Sequence, residues 1–562
     1  MTEERRENAA SAGPGMTPTP TPEALPGDPV EVRTEPTPAP DGRSLDDLAG
    51  HIVELAGRPI DLWAVSALLE SIGIRDRDAV ETYGFDDVFG LAVAVQARLP
   101  ELTRDPADVA EPRPPRRQRV ARYVRIYGRG TFFFVPLSLQ LIALLTIGVS
   151  QFASVDFTAR DASLVAVAAA LSFLVTAGFT QALGYLGPIF IETGKHMLAE
   201  SVAWTVMGLG ALAALVVGVL AWIIASATGG YSTDDLRIAA AYYALLSAQG
   251  LCSALLYMLR RFGSMILATI FSLAVAGVLV ERTTLEVQQI HWISLGVAVA
   301  LQLGVGWVVL LKRARNTKGD MRLAKLPPAR LLFDRTFPFA VYGIIYFTFL
   351  SADRAVAWTA GENPLPLWFH PEYEIGLDWA LGGIVFALAF LEVTVEDFSR
   401  MLVPAAEGFR IDAVREHNRS IRRFWAKQLS YVGILAAVGT WASVLGAVAL
   451  HEGGLLGRAD EIYEDPITRY VFGFGLLGYV LLTLGIANSV FVMSLNRPWR
   501  AVAAIGPGVA VSFAVGIVAT THYAHWTAVF GMVAGAGVFA LISAWQAWRT
   551  LRHADYYSYA AY

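Results

Sequence analysis

Between residues 131 and 548 the chain is built from apolar segments long enough to cross a bilayer, and this constrains its fold more than any other feature. They lie at 131–153, 163–184, 201–226, 238–259, 263–280, 290–311, 337–358, 378–400, 429–450, 470–493, 501–520 and 526–548. A helix of ~20 residues rising ~1.5 Å per residue covers the ~30 Å hydrocarbon core. Inside lipid every backbone donor and acceptor must be satisfied within the protein, so such segments fold as helices. Composition agrees: 55% of residues are hydrophobic and 17% charged, with a mean hydropathy of +0.47. This excludes a soluble enzyme and predicts an all-α polytopic membrane protein with twelve transmembrane helices.

Charge orders the segments. The net charge of −5 hides an acidic first 112 residues and a basic remainder. With a cytoplasmic N-terminus, nearly all Lys and Arg of the membrane part fall in one set of loops, including 113–129, Arg260-Arg261, 312–335 and 400–427. That is the positive-inside pattern, and it places both termini in the cytoplasm. The basic loop 312–335 divides the segments into two six-helix bundles, 131–311 and 336–549. Short echoes support two halves in parallel: Lys195-His-Met-Leu198 after the second segment and Arg400-Met-Leu402 after the eighth.

The regions outside the bundles read differently. Residues 1–43 are rich in Pro, Thr and Glu, with too little apolar surface to offset ordering entropy, and are predicted to be disordered. Residues 44–110 carry helical periodicity, with Gly73 and Gly84 as stops, and predict a small N-terminal cytoplasmic helical domain. A basic linker (111–130) leads to the membrane, and 550–562 form a cytoplasmic C-terminal tail. The single cysteine, Cys252, lies in an apolar segment, so no intramolecular disulfide forms.

Ionisable residues at membrane depth are costly and point to function. They concentrate in the seventh and eighth segments: Asp353, Arg354 and Trp358 in one, Glu392, Glu396 and Asp397 in the other. Glu392 and Glu396 are four apart and share a helix face, with Asp353 or Arg354 as candidate partners. One reading has Arg354 facing the space between the halves to attract an anionic or hydroxyl-rich substrate, steadied by Asp353. The other makes the pair a structural ion pair in the aromatic belt. Glu396 and Asp397 approach the cytoplasmic surface, where Arg400 can pair with them. Gln249 and Asn488 suit interhelical hydrogen bonds or substrate contacts. His370-Pro-Glu372-Tyr-Glu374 lacks a second His at ligand spacing, so it reads as a solvated interfacial loop, and His522 and His525 read as interfacial anchors. No metal site or cofactor is expected. Walker and dinucleotide loops are absent and the non-cytoplasmic loops are short, which argues against an enzyme. Nothing suggests nucleic acid as a partner.

The six-plus-six arrangement resembles the MOP (multidrug/oligosaccharidyl-lipid/polysaccharide) flippase superfamily, and within it PelG-type exopolysaccharide exporters. The likeness rests on Ala352-Asp353-Arg354-Ala-Val-Ala-Trp358, on Phe390-Leu-Glu392 through Glu396-Asp397-Phe398, and more loosely on Arg122-Tyr-Val-Arg-Ile-Tyr127. It implies two bundles alternating between inward and outward openings in a bacterial cytoplasmic membrane. The cargo would be a carbohydrate polymer or its lipid-linked saccharide precursor, handled beside membrane lipids and a cytoplasmic glycosyltransferase. The resemblance has Lys more often than Arg after the segment-seven Asp, so the Arg here leaves the sugar open. Rivals are an ion-coupled drug or lipid exporter of the same fold, and a membrane scaffold for a polysaccharide synthase.

Overall fold

The computed structural model describes residues 44–56, 62–102, 115–132, 134–192, 195–316, 329–402, 414–453 and 464–559. The expected Pro-rich tail, part of the basic linker and half of the 312–335 loop lie outside them. Nineteen α-helices follow in chain order: α1 (Leu45–Ala56), α2 (Leu62–Ser71), α3 (Asp76–Tyr83), α4 (Val88–Leu102), α5 (Arg116–Thr131), α6 (Val135–Ile147), α7 (Ala159–Glu192), α8 (His196–Thr228), α9 (Thr233–Met258), α10 (Phe262–Arg282), α11 (Val287–Asn316), α12 (Ala329–Trp358), α13 (Pro371–Leu381), α14 (Val385–Met401), α15 (Val414–Glu452), α16 (Pro466–Ser494), α17 (Pro498–His522), α18 (Val529–Leu551) and α19 (Ala554–Tyr559). Among the described residues there is no strand, only an isolated bridge between Val149 and Ser154.

Among the described residues eleven helical segments are long and apolar enough to cross a membrane, against the twelve expected. The difference is the first, 131–153. Its apolar run is broken twice: Pro136 opens α6, and Gly148, at φ 82°, closes it with its N–H bonded to the Leu144 carbonyl. The resulting 13 residues cover about 20 Å at 1.5 Å per residue, short of the hydrocarbon core. The eighth segment is also composite: α13 and α14 meet at a 3-10 turn over Gly382–Ile384. The helix α15 approaches closely at this turn: a Cβ on Gly439 would stand 2.0 Å from the Gly383 carbonyl oxygen.

The helices form two bundles. In the first, α7 packs on α8 and α9, α9 on α11, and α10 on α6 and α11; in the second, α12 packs on α17, α13 on α16, α14 on α15, and α18 on α16 and α17. Among the described residues two helix–helix seams join them, and Phe369 N–H also donates across to Ser163 Oγ of α7 at 2.8 Å. Along α7 and α12, Gly178 lies against Ala340 and Ile344, Gly343 against Ala177 and Gln181, and Tyr185 stacks on Phe339. Small residues let the backbones approach where lipid offers no hydrophobic drive to association. The second seam is formed by α5, which precedes the first bundle in sequence yet packs on α14 of the second. Helices α1–α4 enclose their own core around Leu48, Ile52, Leu69, Leu91 and Leu99. Through α2 they touch α19, which packs beneath α15 and α18. This end is called proximal, the opposite one distal.

Candidate functional site

At the distal end of the second bundle the charges of α12 and α13 close on one another. Asp353 and Arg354 occupy the last turns of α12, and Pro371 starts α13 with its fixed φ in the first turn. Glu374 and Asp378, one helical turn apart on α13, both face Arg354. The guanidinium bonds Glu374 through Nη1 and Asp378 through Nη2, the latter at 2.8 Å. Trp358 Nε1 donates to the other Glu374 oxygen at 2.7 Å. The Tyr373 hydroxyl donates to Asp353 at 2.8 Å. Asp353 and Glu374 are each 2% exposed, and the buried Tyr479 of α16 stands alongside. Arg354 therefore spends its charge within the second bundle rather than on the space between bundles, and its partners are the acids of α13. Asp353 accepts from Tyr373 and also lies within the field of the Arg354 charge. The stretch expected to be a solvated loop, His370 to Glu374, is the cap and first turn of α13 and carries the buried counter-ion.

The other predicted residues sit at the proximal end. Asp397 accepts from Arg122 Nη2 at 2.5 Å and from the Tyr123 hydroxyl at 3.0 Å, both on α5. Desolvation lifts the Tyr123 phenol above its ordinary value and the Asp397 carboxylate adds to it, so the hydroxyl stays a donor. Glu396 bonds Arg400 at 3.0 Å, as expected, and approaches Arg129 at 3.9 Å. Gly130 meets the Ala389 backbone, where a Cβ would be 2.3 Å from the carbonyl oxygen. Glu392 lies within the field of Arg129 and Arg260, not of Asp353 or Arg354. Asn488 makes interhelical bonds: its oxygen accepts from Trp425 at 2.9 Å and its nitrogen reaches Ser543 at 3.4 Å. Gln249 keeps a buried side-chain oxygen with no hydrogen-bond partner.

Between α5, α14 and α15 opens a cleft of about 800 Å³. Aromatic walls come from Tyr123, Tyr127, Phe390, Phe424 and Tyr431, and polar groups from Asp397, Lys427 and Gln428. Flat apolar faces beside a few convergent polar groups suit a ligand that is part ring face and part hydroxyl. Of these residues the sequence offers Asp397 as a site candidate, while Tyr123, Tyr127 and Phe390 fall in the stretches that carry the family resemblance. Sequence reasoning left unnamed the polar groups of the first bundle: Arg160 with Asp235 at 2.5 Å, Tyr242 with His291 at 2.8 Å, and Gln151 with Ser272 at 2.6 Å. These are single polar residues scattered through apolar helices, and no spacing links them.

The spanning helices and the two bundles define a multi-pass helical membrane protein. No family model and no curated protein matches the chain, but solved structures share its fold. A point mutant of the Vibrio cholerae MATE transporter VcmN aligns with TM-score 0.55 and 13% identity, over 80% of this chain and 99% of that one. The bent form of the same transporter gives 0.51 and 15%, again over 80% and 99%. A MOP-superfamily transporter from Pyrococcus furiosus gives 0.50 and 14%, over 80% and 97%. The chain has the fold of the MATE transporters of the MOP superfamily.

Proposed function

We propose that this chain is a membrane transporter that exports a polysaccharide, or flips its lipid-linked precursor, across a bacterial cytoplasmic membrane by rocking its two bundles. The observation that carries transport is the architecture: two bundles meeting at two side seams, in a fold shared with solved transporters. Carbohydrate as cargo is supported by the likeness of 352–358 and 390–398 to PelG-type exporters. It is also supported by the cleft beside Asp397, whose five aromatic walls and hydrogen-bonding groups match the apolar faces and hydroxyl edges of sugar rings. The acidic module α1–α4 would then face the cytoplasm, where a glycosyltransferase delivers the chain.

Deleting the gene in its native cell and restoring it with Tyr127→Ala, Tyr431→Ala or Asp397→Asn tests the reading. Secreted polysaccharide should vanish on deletion and stay low in the variants at unchanged protein level. Unchanged polymer after deletion would overturn the cargo. If the variants restore secretion fully while removal of residues 44–99 abolishes it, the chain is a synthase scaffold. One observation favours a second reading, cation-coupled export of a small molecule: Asp353, Glu374 and Asp378 gather around the single guanidinium of Arg354. Dye efflux driven by a cation gradient in proteoliposomes would support it.

A further inference from the structure

The stretch His370-Pro-Glu372 lacks a second histidine at ligand spacing, but the fold supplies one from 155 residues further on. His525, in the 3-10 turn His525–Ala528 that precedes α18, lies against the first turn of α13. Its Nε2 stands 3.0 Å from Glu372 Oε1, and His370 Nδ1 stands 3.8 Å from the same oxygen. The three ligand atoms all lie within 4.8 Å of one another. The cluster is sheltered but reachable: the side chains of His370, His525 and Glu372 are 12%, 21% and 26% exposed. His370 Nε2 is buried without a hydrogen-bond partner.

We propose that His370, Glu372 and His525 bind a divalent transition-metal ion of the zinc class at the distal end of the second bundle. Two imidazoles and a carboxylate are a donor set that zinc accepts, with a fourth position left to water. At ligand distances of about 2.0–2.2 Å, two donors on one ion stand roughly 3.0–3.5 Å apart, so the His525–Glu372 edge is already at that length. The His370–Glu372 edge, at 3.8 Å, must close by a few tenths of an ångström, and the imidazole–imidazole edge, which lies within 4.8 Å, must close as well. The two imidazoles are stacked, with centroids 3.9 Å apart and planes at 10°. One ion cannot lie in both ring planes in that pose, so binding tilts one ring out of the stack. Glu372 is followed directly by Tyr373 and Glu374, which hold Asp353 and Arg354. Its backbone carbonyl also accepts from Thr468 of α16 at 3.0 Å. An ion here would fasten the start of α13 to the turn before α18 and stiffen the ion network one residue away.

The test uses the full chain, purified without a polyhistidine tag, stripped with chelator and titrated with Co²⁺ and then Zn²⁺. The expected result is one equivalent of Co²⁺ with the intense visible absorption of a four-coordinate site, displaced by Zn²⁺, and a thermal transition that rises with Zn²⁺. His370→Ala and His525→Ala should weaken binding by about 100-fold or more, while His522→Ala, outside the cluster, should not. Glu372→Gln keeps the side-chain shape, so it serves if a histidine variant fails to fold, and it too should abolish the absorption band. No band, or weak Co²⁺ binding untouched by Glu372→Gln and His370→Ala, would overturn the proposal.

Discussion

Replacing Arg354 with methionine should be among the more damaging single changes in the membrane part, and the structure says by how much. The substitution keeps an unbranched apolar side chain but strands Glu374, which is 2% exposed. Removing one partner of a buried ion pair costs about 3–5 kcal/mol, because the remaining charge is left uncompensated. The Arg354 side chain is itself 22% exposed, which favours the lower end. The bridge to Asp378 adds little, since that side chain is 63% exposed and such pairs contribute about 0–1 kcal/mol. A compensating change follows. In Arg354→Met with Glu374→Gln the buried charge is gone, yet the carboxamide oxygen still accepts from Trp358 Nε1. The double variant should return to within about 1–2 kcal/mol of the parent, because a matched apolar or neutral replacement of a buried pair is often close to neutral. Unfolding of the purified protein against SDS mole fraction, compared across parent, both singles and the double, measures the cycle. A single variant as stable as the parent, or a double no better than the single, would refute the argument that Glu374 depends on Arg354.

Other outcomes can be checked more simply. Gly130→Leu puts a side chain where a Cβ already meets the Ala389 carbonyl oxygen at 2.3 Å; it should cost more than the ~1–3 kcal/mol of ordinary overpacking and lower the thermal transition. Asp397→Asn removes the charge from the Arg122 contact while keeping an acceptor for Tyr123, so export should fall more than stability, read as secreted polymer against protein level. Cys252 is 4% exposed and should react with a maleimide only after denaturation. Tyr127→Ala, which opens the cleft wall and deletes a hydrogen bond to the Phe386 carbonyl of 3.2 Å, should reduce transport without unfolding the second bundle.

The spanning helices were legible because lipid leaves the backbone one option and hydropathy reports it directly. Where the reading slipped, local chemistry was outweighed by an average. The run 131–153 is apolar throughout, but Pro136 and Gly148 cut it, and only conformation at those residues decides its length. The α13 acids were harder to see. Pro371 next to aromatic residues suggests a loop, although Pro is also at home in a first helical turn, and Glu374 and Asp378 are four apart on the same face. The partners of Arg354 could have been found from that spacing. His525 could not, since nothing in a sequence records that residues 155 apart will stack. The partners of Asp397 were likewise invisible, because α5 was read as a linker rather than as a helix with its own docking face.

The position of α5 has a mechanical consequence. The helix is continuous in sequence with one half of the molecule and buckled by Arg122, Tyr123 and Gly130 to the other. Relative motion of the halves at that end must either flex the few residues between Thr131 and Val135 or undo an ionic clasp. A part-exposed clasp of this kind loosens as salt screens it. The ease of opening should therefore track ionic strength on the side where the acidic module sits.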